Sequence, residues 1–374
     1  MLDNAEYQQP GPGFHPPTDN VQPRRGEAGF SLLELLIVVV VMLIISGGIV
    51  SLTSSTFQTS TNTFELADAQ QGLRTNQEYL TRDLVEAGDG LLGIYSIRVP
   101  AAFVRNYLKV NPTVDAVDAT LVSSLPIIED DDSVPANTLV RGSTVNVAAG
   151  TDRVTILTLD NNFTPAVSVA VGNIRRAANQ ITVIIPATDQ ARFAVGEIYA
   201  FTSQSGGAFG VISGIQNNAG VYSLILTNGD VYGINDSRTN GPIGLMAGID
   251  GTGNSTSAAS IIRIQMLHYY VDANGLLHRR IFGVSGGLAY RDSVLAEHVT
   301  NLQLRYTLMA GGALRPPANQ FTAAEQSLVR EVEVAVTAET VHALARNGLR
   351  ANLTSTTSTS VRNLQFRGNS QLGP

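Results

Sequence analysis

The hydrophobic pattern is dominated by one apolar run near the N-terminus. Residues 30–52 form a stretch of 23 residues whose only charged side chain is Glu34. A helix rises about 1.5 Å per residue, so the run reaches about 35 Å, enough to cross a hydrocarbon core about 30 Å thick. The pattern predicts a membrane-spanning helix. An ionised carboxylate costs roughly 2.5–3.5 kcal/mol at the centre of such a span and less near an interface, so Glu34 requires a compensating partner.

A second helical pattern follows the uncharged Ser/Thr-rich residues 53–63. Apolar side chains recur there at helical spacing and predict one face packed on a core: Leu66, Ala69, Leu73, Leu80 and Leu84. The opposite, solvated face is predicted to hold Asp68, Arg74, Glu78, Arg82, Asp83 and Glu86. Gly88-Asp89-Gly90 then supplies a stop. We therefore expect one helix over residues 30–87, membrane-spanning at 30–52 and amphipathic at 53–87.

After Gly150 the hydrophobic period changes from helical spacing to two. Alternation and turn signals predict strands at 154–159, 181–185, 197–201, 210–215, 221–226, 261–271, 276–282, 299–308, 329–337 and 361–366. In residues 331–336 the valines fall on one face and Glu331 and Glu333 on the other, as in a half-solvated antiparallel strand. Asp272-Ala273-Asn274-Gly275 is a hairpin signal.

These patterns predict an α+β fold, with a long N-terminal helix packed on an antiparallel β-sheet head. We expect four segments: a leader at 1–29, the helix at 30–87, an irregular connecting region at 88–150 and a β-rich globular head at 151–374.

Composition and charge argue against general nucleic-acid binding and against chemistry that requires cysteine. The chain of 374 residues has a formal net charge of −7, of which the leader carries −2 and the rest −5. A mildly acidic protein has no general attraction for nucleic acid, so no general nucleic-acid binding is expected. The absence of cysteine excludes disulfides, Cys-ligated zinc, iron–sulfur clusters and thiol catalysis.

The leader differs in character from the rest of the chain. Residues 1–29 hold five prolines and little apolar periodicity, and such a segment cannot bury enough surface to offset its ordering entropy. We expect it to be disordered. Arg24 and Arg25 directly precede the apolar span, and they are expected to hold that end on the cytoplasmic side and place the C-terminal bulk outside.

The junction between leader and span resembles a known signal. Gly29-Phe30-Ser31-Leu32-Leu33-Glu34 is similar to the class III signal of type IV prepilins and type II secretion pseudopilins. The resemblance implies cleavage between Gly29 and Phe30 by prepilin peptidase, N-methylation at Phe30, and an assembly role for Glu34. The physics agrees, because a carboxylate one turn into a helix can neutralise an ammonium at a helix start, either its own or a neighbouring subunit's.

A looser resemblance extends into the second half. Residues 264–270, 272–279, 296–306 and 358–364 resemble minor pilins of the PilW type, and J-type minor pseudopilins share this C-terminal style. The resemblance implies a type IV pilin-like fold and a non-catalytic minor pilin that primes assembly or forms a pilus tip. Its implied partners are other minor pilins, the major pilin and the inner-membrane assembly platform. Its implied location is the bacterial inner membrane, with the head outside the cytoplasm, and then the cell-surface pilus.

Two alternatives stay open. The first is a minor pseudopilin of a type II secretion system, over which the length of the chain favours the pilus. The second, from another class, is a membrane-anchored exported enzyme or binding protein that keeps its N-terminus. An ordinary secretory signal peptide fits less well, because Ser46-Gly47-Gly48 does not look like an A-x-A cleavage site and Glu34 would be unexplained.

Other candidate chemistry is weak, so we expect no enzyme, cofactor or metal site. The acid run at 129–132 lacks the alternating spacing and glycine turn of a calcium loop, which favours a solvated loop over a cation site. Residues 283–287 fit G-x-S-x-G around Ser285, but residues 288–292 look like a returning strand, which favours a hairpin turn over a nucleophile elbow. The histidines lack paired ligand spacing, and His268 is expected to be a sheet residue.

Overall fold

The computed structural model describes residues 29–91, 94, 96–114, 121–161, 163, 169–283, 290–310, 312–344, 348–361 and 363–364. The chain divides into two compact units, residues 1–57 and 58–374. The leader, with Arg24 and Arg25, lies outside the described residues except for Gly29.

The helices are few and the strands many. The α-helices are α1 (Leu32–Val85), α2 (Ala101–Tyr107) and α3 (Pro242–Ala247), and two 3-10 helices span Ala187–Arg192 and Ala323–Leu328. The strands of the first half are β1 (Ser96–Pro100), β2 (Val122–Pro126), β3 (Ile128–Asp131), β4 (Arg153–Leu159), β5 (Val169–Val171), β6 (Ile174–Arg176), β7 (Gln180–Ile185), β8 (Ile198–Ser203) and β9 (Gly206–Val211). Those of the second half are β10 (Gly214–Asn218), β11 (Val221–Thr227), β12 (Ala259–Ile262), β13 (Ile264–Val271), β14 (Leu277–Phe282), β15 (Tyr290–Ala296), β16 (Val299–Ala310), β17 (Ala313–Leu314), β18 (Val329–Glu339) and β19 (Asn352–Ser360).

The described strands form four sheets. Their strand orders are β2-β1-β9-β8-β12-β5, β10-β11-β7-β6, β15-β14-β13-β4-β3 and β17-β16-β18-β19. Neighbouring strands are antiparallel apart from β1 and β9, which pair in parallel. The predicted α+β fold, a long apolar N-terminal helix followed by a β-rich head with antiparallel sheets, is confirmed.

The first unit contains the apolar part of α1. Its large apolar side chains, from Leu32 to Leu52, are between 46% and 83% exposed. Among the described helices, α1 alone is long and apolar enough to cross a membrane. The helix is continuous through Gly47 and Gly48 and through the Ser/Thr-rich stretch.

In the second unit the amphipathic part of α1 packs as its spacing predicts. Leu73, Leu80 and Leu84 are buried in the main hydrophobic core. The helix ends at Val85, two residues before the predicted bound, and the predicted glycine stop follows it. Gly88 and Gly90 have φ of +79° and +75°, values that L side chains rarely adopt. The Gly88 amide donates to the Leu157 carbonyl at 2.7 Å, which ties the chain to β4 directly after the helix.

Two polar side chains of α1, Gln77 and Asp83, join this part of the helix to the sheets. The Gln77 side chain donates to the Ser355 carbonyl at 2.7 Å and accepts from the Ser355 hydroxyl at 2.7 Å, which joins the helix to β19. Asp83 accepts from the Tyr269 hydroxyl of β13 and lies 2.8 Å from Nε of Arg279 on β14. The placement of Asp83 on the solvated face was wrong: it is 2% exposed, because this pairing satisfies its charge inside the head.

Several strand predictions were wrong in detail. The stretch predicted as one strand at 210–215 is divided between β9 and β10, which lie in different sheets. The stretch at 261–271 is divided at Arg263, whose guanidinium lies 2.9 Å from Asp160 and 3.0 Å from Glu197. Residues 88–150, for which we expected irregular structure, contain β1, α2, β2 and β3.

The last described strand also differs from its prediction. Strand β19 is the Ser/Thr-rich stretch Asn352–Ser360 itself, and Val361 follows it instead of beginning a strand. Residues 362 and 365–366 lie outside the described residues. The strand pairs along its whole length with β18, where β-branched threonines suit the pleated surface. The neighbouring alternation was predicted correctly: Val332, Val334 and Val336 are buried, and Glu331 and Glu333 are half-buried.

Candidate functional site: the processing segment at the start of α1

The segment predicted to be processed lies directly before α1. Gly29 and Phe30 precede the helix in non-helical backbone, and Phe30 is 82% exposed. Gly29 has no positive φ, and a Cβ built on it would meet nothing within 4 Å. No contact of the described residues therefore requires glycine at this position.

The first turn of α1 contains a capping box that sequence reasoning missed. The Glu34 amide donates to the Ser31 hydroxyl at 3.2 Å, and the Ser31 amide donates to Oε2 of Glu34 at 3.0 Å. Two of the amides left unpaired at a helix start are thereby satisfied. The signal was present in the sequence, because Ser-Leu-Leu-Glu before an apolar run fits the S-x-x-E pattern.

The capping box leaves part of Glu34 available. Its Oε2 accepts the Ser31 amide, while Oε1 accepts no hydrogen bond from any described residue. The carboxylate also lies in the first turn, where the helix dipole favours negative charge. Glu34 can therefore cap its own helix and accept a further cation through Oε1.

The acid run at 129–132 is not the solvated loop that we predicted. Ile128–Asp131 form β3, and Glu129, Asp130 and Asp131 are all buried. Basic groups from neighbouring segments explain this: Lys109 Nζ lies 2.6 Å from Glu129, and Arg153 Nε lies 2.7 Å from Asp131. Neither carboxyl oxygen of Asp130 has a hydrogen-bond partner among the described residues, and burial raises its pKa well above the ordinary value.

The acid run has the surroundings of a sheet interior. Within the described ranges, no three or more His, Asp or Glu side chains are arranged to hold a metal ion. Tyr306 lies beside Asp130 in the interior, where burial first, and then the charge of Asp130, raise the pKa of the phenol. The run is a buried part of its sheet. Glu129 and Asp131 have basic partners, whereas Asp130 has no hydrogen-bond partner among the described residues.

The other sequence candidates occupy structural positions. His268 lies in β13 as predicted, fully buried, with Nδ1 2.9 Å from the Thr155 hydroxyl. Ser285 lies outside the described residues. Strands β14 and β15 on either side of the G-x-S-x-G stretch pair antiparallel, with Phe282 opposite Tyr290, as a hairpin requires. A nucleophile elbow would need a helix after the stretch, whereas the next element in the described part of the chain is β15.

A further ionic network, which the sequence did not indicate, joins β14 and β15. Arg280 is buried with its guanidinium 2.8 Å from Asp292, and His278 Nδ1 lies 3.1 Å from the same carboxylate. Burial raises the pKa of Asp292, but the hydrogen bonds from His278 and Arg280 outweigh it and lower that pKa to about 2.

Comparison with known proteins identifies the N-terminal segment. Residues 24–50 match the model of the prokaryotic N-terminal methylation motif. Comparison with the curated proteins and with the solved structures gave no significant match. The chain thus carries a class III, prepilin-like signal followed by an apolar helix, which supports a type IV pilin-like or pseudopilin-like protein.

Proposed function

We propose that this chain is a minor pilin, which inserts α1 into a type IV pilus and helps to prime its assembly or form its tip. The observation that carries the proposal is the methylation motif at residues 24–50, placed at the start of a helix whose apolar part is exposed throughout. The role is structural, and its partners are prepilin peptidase, the assembly platform and other pilins.

In the proposed mechanism, cleavage after Gly29 turns the Phe30 amide nitrogen into an ammonium, which methylation leaves charged. The accessible junction at Gly29 supports this step. No contact of the described residues requires a glycine at this position. A peptidase pocket that excludes side chains would require one. Arg24 and Arg25 would keep the junction on the cytoplasmic side of the membrane.

Glu34 would then act in docking between subunits. Inside a filament an unpaired carboxylate among apolar helices is strongly unfavourable, and pairing with an ammonium removes that cost. The free Oε1 of Glu34 supports this role, because a neighbouring Phe30 ammonium can bind there without breaking the capping box.

The size of the second unit supports the role of a subunit that is present in few copies per pilus. Residues 58–374 make a head with four sheets, which suits a priming or tip subunit better than one repeated along a filament. A minor pseudopilin of type II secretion carries the same N-terminal chemistry, so the two systems have to be separated by experiment.

The test is the location of the protein in its native host. Pili are sheared from cells and probed for the chain with an antibody to its head, with cells lacking prepilin peptidase as the control. We expect the chain in the pilus fraction, and few pili when its gene is deleted. Normal pilus number after deletion, combined with loss of protein secretion, would instead assign the chain to a type II secretion system.

A further inference from the structure

The second unit contains a groove that is lined by a buried, unpaired side-chain amide. It lies between α1 and the ends of β15 and β18, and its volume is about 550 Å³. Asn76 of α1 lines it with 1% of its surface exposed, and neither atom of its side-chain amide has a hydrogen-bond partner among the described residues. A buried amide left unpaired costs about 1–3 kcal/mol, which points to a missing partner.

One wall of the groove is an incompletely paired strand. Val294, Leu295 and Ala296 of β15 line it, and β15 is the outermost described strand of its sheet. One side of the β15 backbone therefore has no neighbouring described strand, and Val294 is 49% exposed. An edge strand of this kind can accept an extended peptide as an additional strand.

The rim of the groove is acidic. Four carboxylates line it, from Glu65, Asp68, Glu297 and Glu339. His342 lies 2.8 Å from Glu65, and Arg350 pairs with Glu339. Asp68 and Glu297 are exposed and have no ion pair among the described residues, so the rim keeps an excess of negative charge that attracts cationic side chains.

We propose that this groove binds an extended segment of a partner protein that carries lysine or arginine. The segment adds to the edge of β15 and pairs its peptide groups with the Asn76 amide. Its small apolar side chains enter the groove, and its cationic side chains face Asp68 and Glu297. The proposal goes beyond pilus assembly and holds whether the chain acts in a pilus, in a secretion system or alone.

The test uses the full chain in nanodiscs of zwitterionic lipid. The probe is an acetylated and amidated peptide of alternating lysine and small apolar residues, and its glutamate counterpart is the control. Binding is followed by calorimetry at low salt. We expect saturable binding of the lysine peptide and none of the glutamate peptide.

Variants locate the binding. Asn76→Leu removes the amide, and we expect it to weaken binding about tenfold, as the loss of one or two hydrogen bonds would. The double variant Asp68→Asn, Glu297→Gln changes only exposed side chains, and it is expected to weaken binding about tenfold as well. Glu78→Gln, exposed on the same helix but outside the groove, is the matched control and should change the affinity less than twofold.

Three results would overturn the proposal. They are the absence of saturable binding by the lysine peptide, equal affinities of the groove variants and the control, and binding of free spermidine as tight as that of the peptide. The last result would assign the groove to small polycations. Because the double variant leaves the buried residues unchanged, the test stands even if Asn76→Leu unfolds the head.

Discussion

Glu34 has two separable roles: it caps α1 in the structure, and we propose that it pairs with an ammonium during assembly. Its carboxylate caps the first turn of α1 together with Ser31, and in assembly it would pair with a Phe30 ammonium. Capping needs only an acceptor at this position, which glutamine also offers, whereas pairing needs the negative charge. Single substitutions can therefore separate the two tasks.

The first prediction concerns the variants Glu34→Gln and Ser31→Ala. Glu34→Gln keeps the capping box and removes the charge, so we expect normal membrane insertion but at least a hundredfold less incorporation into pili. This corresponds to about 3 kcal/mol for breaking a buried pair. Quantitative immunoblots of the membrane and pilus fractions measure both.

Ser31→Ala is the matched control, because it removes one capping bond at a cost of about 1 kcal/mol and keeps the charge. It should reduce incorporation several-fold at most. Normal incorporation of Glu34→Gln would show that the charge is not needed and that Glu34 acts as a helix cap alone.

The second prediction concerns Asp292, whose pKa lies near 2 beside His278 and Arg280. A carboxylate with a lowered pKa in the folded state contributes stability above pH 4 that is lost as the pH falls towards 2. Asp292→Asn should lower the free energy of unfolding by about 1 kcal/mol at pH 7, a value reduced for solvent screening of a side chain 26% exposed.

Chemical denaturation of the full chain in micelles, from pH 2 to pH 7, checks this prediction. The difference between wild type and variant should shrink below pH 4. The pKa of His278, which Asp292 helps to raise, should also fall in the variant, as measured by NMR. A constant difference over the whole pH range would contradict the proposed charge pairing.

Asp130 is expected to behave in the opposite way. Burial raises the pKa of its carboxyl, so its ionisation lowers stability once the pH exceeds about 4, the ordinary value for aspartate. Asp130→Asn should increase the free energy of unfolding at pH 8, with a gain that disappears below pH 4. Lower stability of Asp130→Asn at pH 8 would mean that the ionised carboxylate is stabilising.

The residues that sequence reasoning misplaced are charged groups with partners far along the chain. Asp83 pairs with Arg279, 196 positions away, and Asp131 with Arg153 of the adjacent strand. Helical spacing and charge runs describe only local surroundings, so they placed both groups in solvent. The capping box, in contrast, lies within four residues and could have been predicted.

At the scale of elements, α1 was predictable because its signals are local and repeated. The spacing of Leu73, Leu80 and Leu84 identified the buried face, and two glycines identified the end. Strand β19 was not predictable in the same way. Its Ser and Thr side chains have no strong apolar alternation, and only pairing with β18 and the bonds of Gln77 make it a strand.

The packing of α1 gives a fourth prediction. Leu80 is fully buried, so Leu80→Ala should destabilise the head by about 3 kcal/mol through lost burial and the cavity left behind. Leu66→Ala, on the same face but half-buried, should cost less than about 1 kcal/mol. Denaturant unfolding of both variants in micelles compares them, and equal costs would contradict the docking of α1 through its later turns.

At the scale of the whole molecule, the sequence was sufficient for the class of fold but not for its topology. A long helix followed by period-two strands predicts α+β. The division of nineteen described strands into four sheets depends on pairings between distant segments, such as β8 with β12. The elements in residues 88–150 were missed for a related reason. The prolines and charges of this region interrupt the local strand pattern, and the strands are stabilised by tertiary contacts.

The central claim is that the mature protein begins at Phe30, so that an ammonium stands at the start of α1. Mass spectrometry of the N-terminal peptide, from protein isolated from membranes of the native host, tests it directly. We expect an N-methylated Phe30 and no trace of residues 1–29. A mature chain that retains the leader, with an unmodified Phe30 in mid-chain, would contradict the claim.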